Sequence, residues 1–305
     1  MILDKPSEEH NLESNPPDEP PKEDEEEDEE ELISENMVIV QPCPEHKYFM
    51  DRYLKTNLDY MKREVLKKDY DAFIIADGME RTGKSTLLMQ IAKYVDPDFN
   101  LDRVCFTISQ FIKAVENAKK GQAILFDETM GYLGSRGAMS KLNRSLIKIF
   151  SEMGYKNLFI LLAIPSFFEL DRYAAIHRSV CLFHVYKRGG FLAFNYSKKK
   201  LLYIYGKKFY SYAKPTADFI GSYTKYFPVD KEAYQKKKQE GISQFYEERE
   251  RIQYSRIQRN KLIDYLNKVL AYDPKKISDI CGLSVCQIND ILKDDSPWRG
   301  EDDKE

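Results

Sequence analysis

Apolar residues in this chain recur in two rhythms, short unbroken runs and stretches spaced three and four apart, and the two alternate over residues 72–164. Runs at 73–76, 103–107, 123–126 and 158–164 read as strands, the last continuous enough to be buried on both faces. Between them, Leu87, Leu88, Ile91 and Ala92 share one helical face. A second helix is expected from an N-cap at Ser109 to Lys119, and a third at about 140–153. Upstream, Phe49, Tyr53, Leu54, Leu58 and Met61 give residues 45–68 the spacing of an amphipathic helix beside the sheet. Such alternation predicts an α/β fold, a mostly parallel sheet with helices on both faces.

The rhythm changes after Pro165. Residues 166–178 read as helical, and 180–186, 191–196 and 201–205 as short strands joined by basic turns, a β-meander that finishes the sheet. Residues 229–272 are charged and helical. Over 276–293, Ile277, Cys281, Leu283, Ile288 and Ile291 take the apolar positions of a helix-turn-helix, with Gly282 at the tight turn and Ser284 capping the second helix. In a DNA reader that helix presents Val285, Gln287 and Asn289 to the major groove, where Gln287 and Asn289 can pair with adenine. Asp290, Asp294 and Asp295 put negative charge where phosphates would pass, which leaves a tri-helical protein-docking module as the alternative. Lys261, Lys268, Lys275 and Lys276 are either phosphate contacts or solvated helix faces.

The strand at 73–76 runs directly into Gly78-Met79-Glu80-Arg81-Thr82-Gly83-Lys84-Ser85-Thr86, a complete GxxxxGK[ST] loop followed by helical spacing. Gly78 and Gly83 let the backbone curl so that its N–H groups face an anion, and the helix starting near Lys84 adds its positive end. The expectation is a nucleoside triphosphate, ATP, bound with Mg²⁺: Lys84 reaches the β- and γ-phosphates and the Ser85 hydroxyl holds the metal. The strand at 123–126 ends in Asp127-Glu128, 43 residues after Lys84. Adjacent carboxylates suit a site where metal and nucleophile meet, Asp127 in the metal shell and Glu128 directing water. An acidic turn capping the next segment is the plainer reading of that pair.

Charge adds a partner class. The formal net charge of −3 conceals an acidic segment, residues 1–36, with 16 acidic and 2 basic residues, so the remaining 34 acidic and 45 basic residues give a body of +11. A basic body favours a polyanion such as DNA, and the acidic segment, expected to be disordered, either competes for that surface or merely aids solubility. Basic turns at Lys187-Arg188 and Lys198-Lys199-Lys200 are candidate nucleic-acid contacts. Tyr203, Tyr205, Tyr210 and Tyr212 near Lys207 and Lys208 either stack bases or pack a strand face. Five cysteines without a CxxC pair build neither a disulfide framework nor a zinc knuckle and fit a reducing cytoplasm. The longest apolar run, 158–164, is too short to span a bilayer, and the N-terminus has no signal-peptide pattern, so no membrane partner is expected.

The acid beside Asp127 and a further strand ending in Ser166 make the core similar to the additional-strand, catalytic-glutamate class of P-loop ATPases. Within that class, Ile164-Pro165-Ser166-Phe167-Phe168-Glu169-Leu170-Asp171-Arg172-Tyr173, His177-Arg178-Ser179 and the strand bearing Lys187-Arg188-Gly189 resemble the zonular-occludens-toxin-like ATPases of phages and mobile elements, relatives of the FtsK and HerA motors. The resemblance covers about residues 70–213. It implies a RecA-like P-loop NTPase fold, Ser166 as a γ-phosphate sensor, and a homo-oligomer, ring or dimer, in which an arginine completes a neighbour's site. Arg178 is preferred for that role over Arg144 and Arg136. The glycine loop is also similar to that of thymidylate kinases, and Asp171-Arg172-Tyr173 echoes their DRY-type motif; Glu128 and the basic meander favour the ATPase. The resulting organisation is an acidic leader (1–36), an ATPase domain (37–228), a charged helical linker (229–255), a helix-turn-helix module (256–295) and an acidic tail (296–305). Expected work is Mg-dependent ATP hydrolysis coupled to DNA translocation, remodelling or packaging, with a nucleotide kinase or a nucleotide-switched DNA-binding regulator as alternatives.

Overall fold

The computed structural model describes residues 35–127, 143–147, 149–150 and 156–293. Glu128 and Arg136 lie outside the described residues, as do Asp294, Asp295, the expected acidic tail and nearly all of the expected leader.

A hairpin of β1 (Met37–Cys43) and β2 (His46–Asp51) comes first, followed by α1 (Arg52–Lys67). The chain then forms β3 (Ala72–Asp77), α2 (Lys84–Val95), β4 (Val104–Cys105), α3 (Ile108–Asn117), β5 (Ala123–Asp127) and β6 (Phe159–Ala163). Then follow β7 (Ser179–Lys187), β8 (Gly190–Phe194), α4 (Tyr196–Gly206) and β9 (Phe219–Ser222). Three helices close the described chain: α5 (Lys231–Lys268), α6 (Pro274–Cys281) and α7 (Val285–Lys293).

Strands β3 to β9 make one seven-stranded sheet in the order β4-β5-β6-β3-β7-β8-β9. Pairings from β4 through β7 are parallel, and β8 and β9 add antiparallel edge strands. Every residue of β3, β5 and β6 is buried, as unbroken apolar runs require when helices cover both faces. Alternate side chains feed two cores. One, containing Ile74, Leu125 and Leu161, packs on α1, α2 and the hairpin; the other, containing Phe73, Phe126 and Leu162, packs on α3 and the 167–176 segment. The expected α/β class therefore holds, and the mostly parallel, helix-flanked sheet is compatible with a RecA-like arrangement.

Several local expectations are corrected. Residues 46–51 are a strand rather than the start of a helix: they pair with β1, and Asp51 ends the strand by capping α1, its Oδ1 accepting from the Leu54 N–H at 3.0 Å. α3 is capped by Thr107, whose hydroxyl accepts from the Gln110 N–H at 3.2 Å, and not by Ser109. Residues 167–178 form a short 3-10 turn and a π-helical turn in place of a regular helix. The third strand of the meander is not 201–205, which lies inside α4; β9 takes that place. Residues 229–255 are largely helical, as expected, and α5 runs on from them without interruption into the expected C-terminal module. There Ile263 and Leu266 of α5 bury Ile277 of α6 and Ile288 of α7 in a small separate core, with Gly282 closing α6 at φ 67°.

Candidate functional site

The glycine loop leaves β3 at the carboxyl end of the parallel strands, where open α/β sheets place their ligand crevices. Gly78 adopts φ 139° and sits so close to β7 that an added Cβ would lie 2.2 Å from the Val185 carbonyl oxygen. Gly83 adopts φ 95°, and its added Cβ would lie 2.5 Å from the Tyr223 hydroxyl. Both positions demand glycine twice over, by dihedral and by space. Inside the curl the Lys84 ammonium donates to the carbonyls of Gly78 and Met79 at 2.7 and 2.6 Å, and Thr82 Oγ1 donates to Met79 at 2.8 Å. Gly83 caps α2 with no side-chain hydrogen bond, so the helix's first amides meet no competing side-chain acceptor at the cap. A glycine-walled cradle with a lysine inside it and uncapped amides below fits phosphate.

Asp127 ends β5 level with Ala163 of β6, itself level with Ala76 of β3. Two strand spacings put the carboxylate about 10 Å across from the root of the loop. Asp127 is buried, accepts a hydrogen bond from the Tyr234 hydroxyl, and that phenol also engages Ser85. The two residues expected to hold Mg²⁺ thus converge on one point, marked by a phenol oxygen, and a carboxylate and a hydroxyl are donors of the type Mg²⁺ takes. Burial, then the neighbouring carboxylate of Asp127, push the Tyr234 phenol well above its ordinary proton affinity. Burial lowers that of Lys84; Asp127, Asp77 and Glu80 oppose the shift, and Lys238 adds to it.

Other expected residues are placed as follows. Met79, Glu80 and Arg81 form the exposed crest of the loop, and Thr86 lies in the first turn of α2. Ser166 follows Pro165, whose carbonyl accepts from the Gly78 N–H at 3.3 Å, so the segment after β6 is fastened to the loop's base. Asp77 strengthens that fastening: fully buried, it accepts from the Phe167 N–H at 2.9 Å and from the Tyr212 hydroxyl, and sits 3.0 Å from His184 Nδ1. Arg178 is elsewhere. It precedes β7 at the opposite ends of the strands, paired with Asp71 and lying 4.9 Å from the centre of the Phe150 ring, which commits it within its own chain and argues against its role in trans.

The basic turns divide. Lys187 and Arg188 are exposed in the β7–β8 turn, and Arg188 Nη2 reaches the Arg81 carbonyl at 3.5 Å, so it belongs to the loop's own surroundings. Lys198 pairs with Asp218 at 3.2 Å, and Lys200 is exposed on α4. Lys199 is corrected outright as a nucleic-acid contact: it is fully buried and donates to the carbonyls of Ala175 and Ile176 at 2.6 and 3.1 Å. Gln287 is engaged at the cap of α7, its Oε1 accepting from the Ser284 N–H at 3.0 Å in a capping-box arrangement, while Asn289 is half-buried one residue past Ile288.

Sequence reasoning missed Asp77, Tyr223, Tyr234 and Lys238. Asp77 had a signal, a carboxylate as the last residue of a buried strand; the two tyrosines had none, because 141 and 107 residues separate them from the partners they touch. No helix among the described residues is long and apolar enough to cross a membrane. A scan of protein-family models returns no match to this chain, and a search of curated proteins returns none.

Proposed function

We propose that the chain is a P-loop ATPase of the additional-strand, catalytic-glutamate type, which couples Mg-dependent ATP hydrolysis to movement or remodelling of DNA. The observation that carries this reading is the convergence of Ser85 and Asp127 on one point beside a lysine-bearing glycine cradle. Strand order supports it: β6 lies between the loop strand β3 and the carboxylate strand β5, the place of the additional strand in that class.

Each residue then has a defined task. The amides at the start of α2 and the Lys84 ammonium hold the β- and γ-phosphates, exchanging the loop carbonyls of Gly78 and Met79 for phosphate oxygens. Ser85 and Asp127 would hold Mg²⁺, which when bound supplies Lewis-acid neutralisation of phosphate charge. Glu128, directly after β5, accepts a proton from the attacking water at its carboxylate. Asp77 and Pro165 keep Ser166 at the loop's base, where it can respond to loss of the terminal phosphate. The helices α6 and α7 form the helix-turn-helix that docks DNA, with lysines such as Lys275 and Lys293 toward the phosphates.

The test is nucleotide hydrolysis with and without single- or double-stranded DNA and with nucleoside monophosphate acceptors. Lys84→Ala is expected to abolish nucleotide binding. Glu128→Gln is expected to keep binding and lose about 100-fold or more in hydrolysis, the usual contribution of a general base. DNA should stimulate the wild type. A reaction that needs a monophosphate acceptor and ignores Glu128→Gln would identify a nucleotide kinase instead.

A further inference from the structure

The glycine loop forms one wall of a cleft. Residues 223–242, from the end of β9 through the first three turns of α5, cross in front of it and enclose with it a cavity of about 700 Å³. Four tethers fix this crossing segment to the site. The Tyr223 hydroxyl donates to the Thr82 carbonyl at 2.6 Å. Gln90 of α2 donates to the carbonyls of Thr224 and Tyr226 at 2.8 and 2.7 Å. Tyr234 binds Asp127, with Phe106 and Phe227 edge-on against its ring. Lys237 donates to the Leu101 carbonyl at 2.7 Å.

The wall this segment builds is cationic. Lys225, Lys231 and Lys238 line the cavity from the segment, with Arg188 from the β7–β8 turn and Lys84 and Arg81 from the loop. Among the described lining residues, only Glu80 and Asp127 are acidic. Gathering like charges around one cavity raises the energy of the protein alone and lowers it once a polyanion enters. Lys238 stands one turn beyond Tyr234, its ammonium 6.0 Å from the centre of that ring, which places it on the side of the cavity where Asp127 and Ser85 meet. Its charge is felt at Lys84 across the cavity.

We propose that the first turns of α5 are a phosphate-recognition wall acting within one chain, in which Lys238, supported by Lys231 and Arg188, binds the terminal phosphate of the nucleotide. This rests on the glycine loop being a triphosphate site. The cations that a neighbouring subunit's arginine would supply are thereby provided by the same chain, and Arg178, committed to Asp71, is not needed for them. The wall distinguishes triphosphate from diphosphate, since a shorter nucleotide held by Lys84 ends before reaching it.

The experiment titrates the full chain with a non-hydrolysable triphosphate analogue and with the diphosphate, both with magnesium, for wild type, Lys238→Gln, Lys238→Arg and Lys84→Ala. Lys238→Gln should weaken the triphosphate analogue about tenfold or more, as loss of one charge-assisted contact implies, and leave the diphosphate within about twofold. Lys238→Arg should restore most of the loss. Equal weakening of both nucleotides by Lys238→Gln, or no effect on either while Lys84→Ala still weakens both, overturns the proposal. Weakened DNA binding with unchanged nucleotide binding would also overturn it, giving the cationic wall to a nucleic-acid backbone. If the wild type binds neither nucleotide and Lys84→Ala changes nothing, the triphosphate reading itself falls.

Discussion

Lys199 shows what one side chain can conceal. It points inward from α4, fully buried, and caps the carbonyls that end the π-helical turn. Burial lowers its proton affinity from an ordinary value of 10.5 to about 8. Between those values the unfolded chain holds a proton that the folded chain has released, so this group makes folding more favourable as pH rises through the window. Below about 8 both states are protonated and the cost of burying the charge is fully felt. Relative to Lys199→Met, the wild type is therefore expected to gain stability from pH 8 to 10, measured by urea unfolding; a difference that stays flat across that range would show the ammonium to be solvated. The same lysine explains a misread element. Residues 201–205 look like a strand as a run, but the inward positions of α4 are Lys199, Leu202, Tyr203 and Gly206, and a charged residue in that stripe hides the helical period. Asn195, whose Oδ1 accepts from the Lys198 N–H at 3.0 Å, was the legible cue for a helix start.

At the scale of elements, the glycine loop, its strand and its helix were legible because a short motif encodes a backbone path and the contacts are local. The hairpin at 37–51 was not, since the apolar spacing of α1 continues backward through Phe49 and only pairing with β1 decides the matter. Least legible was the docking of α5. Gly241 lets this helix approach the residue after β4 so closely that an added Cβ would lie 2.6 Å from Phe106 Cβ. Alanine favours helix over glycine by about 1 kcal/mol, yet here the obstacle is the root of a buried side chain and not its flexible end. Gly241→Ala should therefore lower the melting temperature. Because Tyr234 and Lys238 ride on the same helix within two turns of Gly241, it should also weaken triphosphate binding; a raised melting temperature with unchanged binding would mean that α5 is not seated on Phe106.

At the scale of the molecule, cations gather in two places. Cations on the crossing segment face the cavity, and another set lies on the C-terminal helices. If the latter meet duplex DNA, Lys275→Glu combined with Lys293→Glu should lower affinity and flatten the dependence of log affinity on log salt by about two, leaving nucleotide binding untouched. An unchanged slope would turn the module toward a protein partner. Among the described residues these two regions are joined by α5, whose 38 residues contain no proline and whose described residues from 246 to 256 are all exposed. A rod of that length spans about 57 Å. One end is held against Asp127 and the other carries the small terminal core, so a tilt of about 5° at the cavity sweeps the far end through about 5 Å, more than the rise of one base pair of duplex. If the glycine loop holds a triphosphate and the terminal helices hold duplex, leverage of this kind would turn the removal of one phosphate into a step of nucleic-acid size without any change in the sheet.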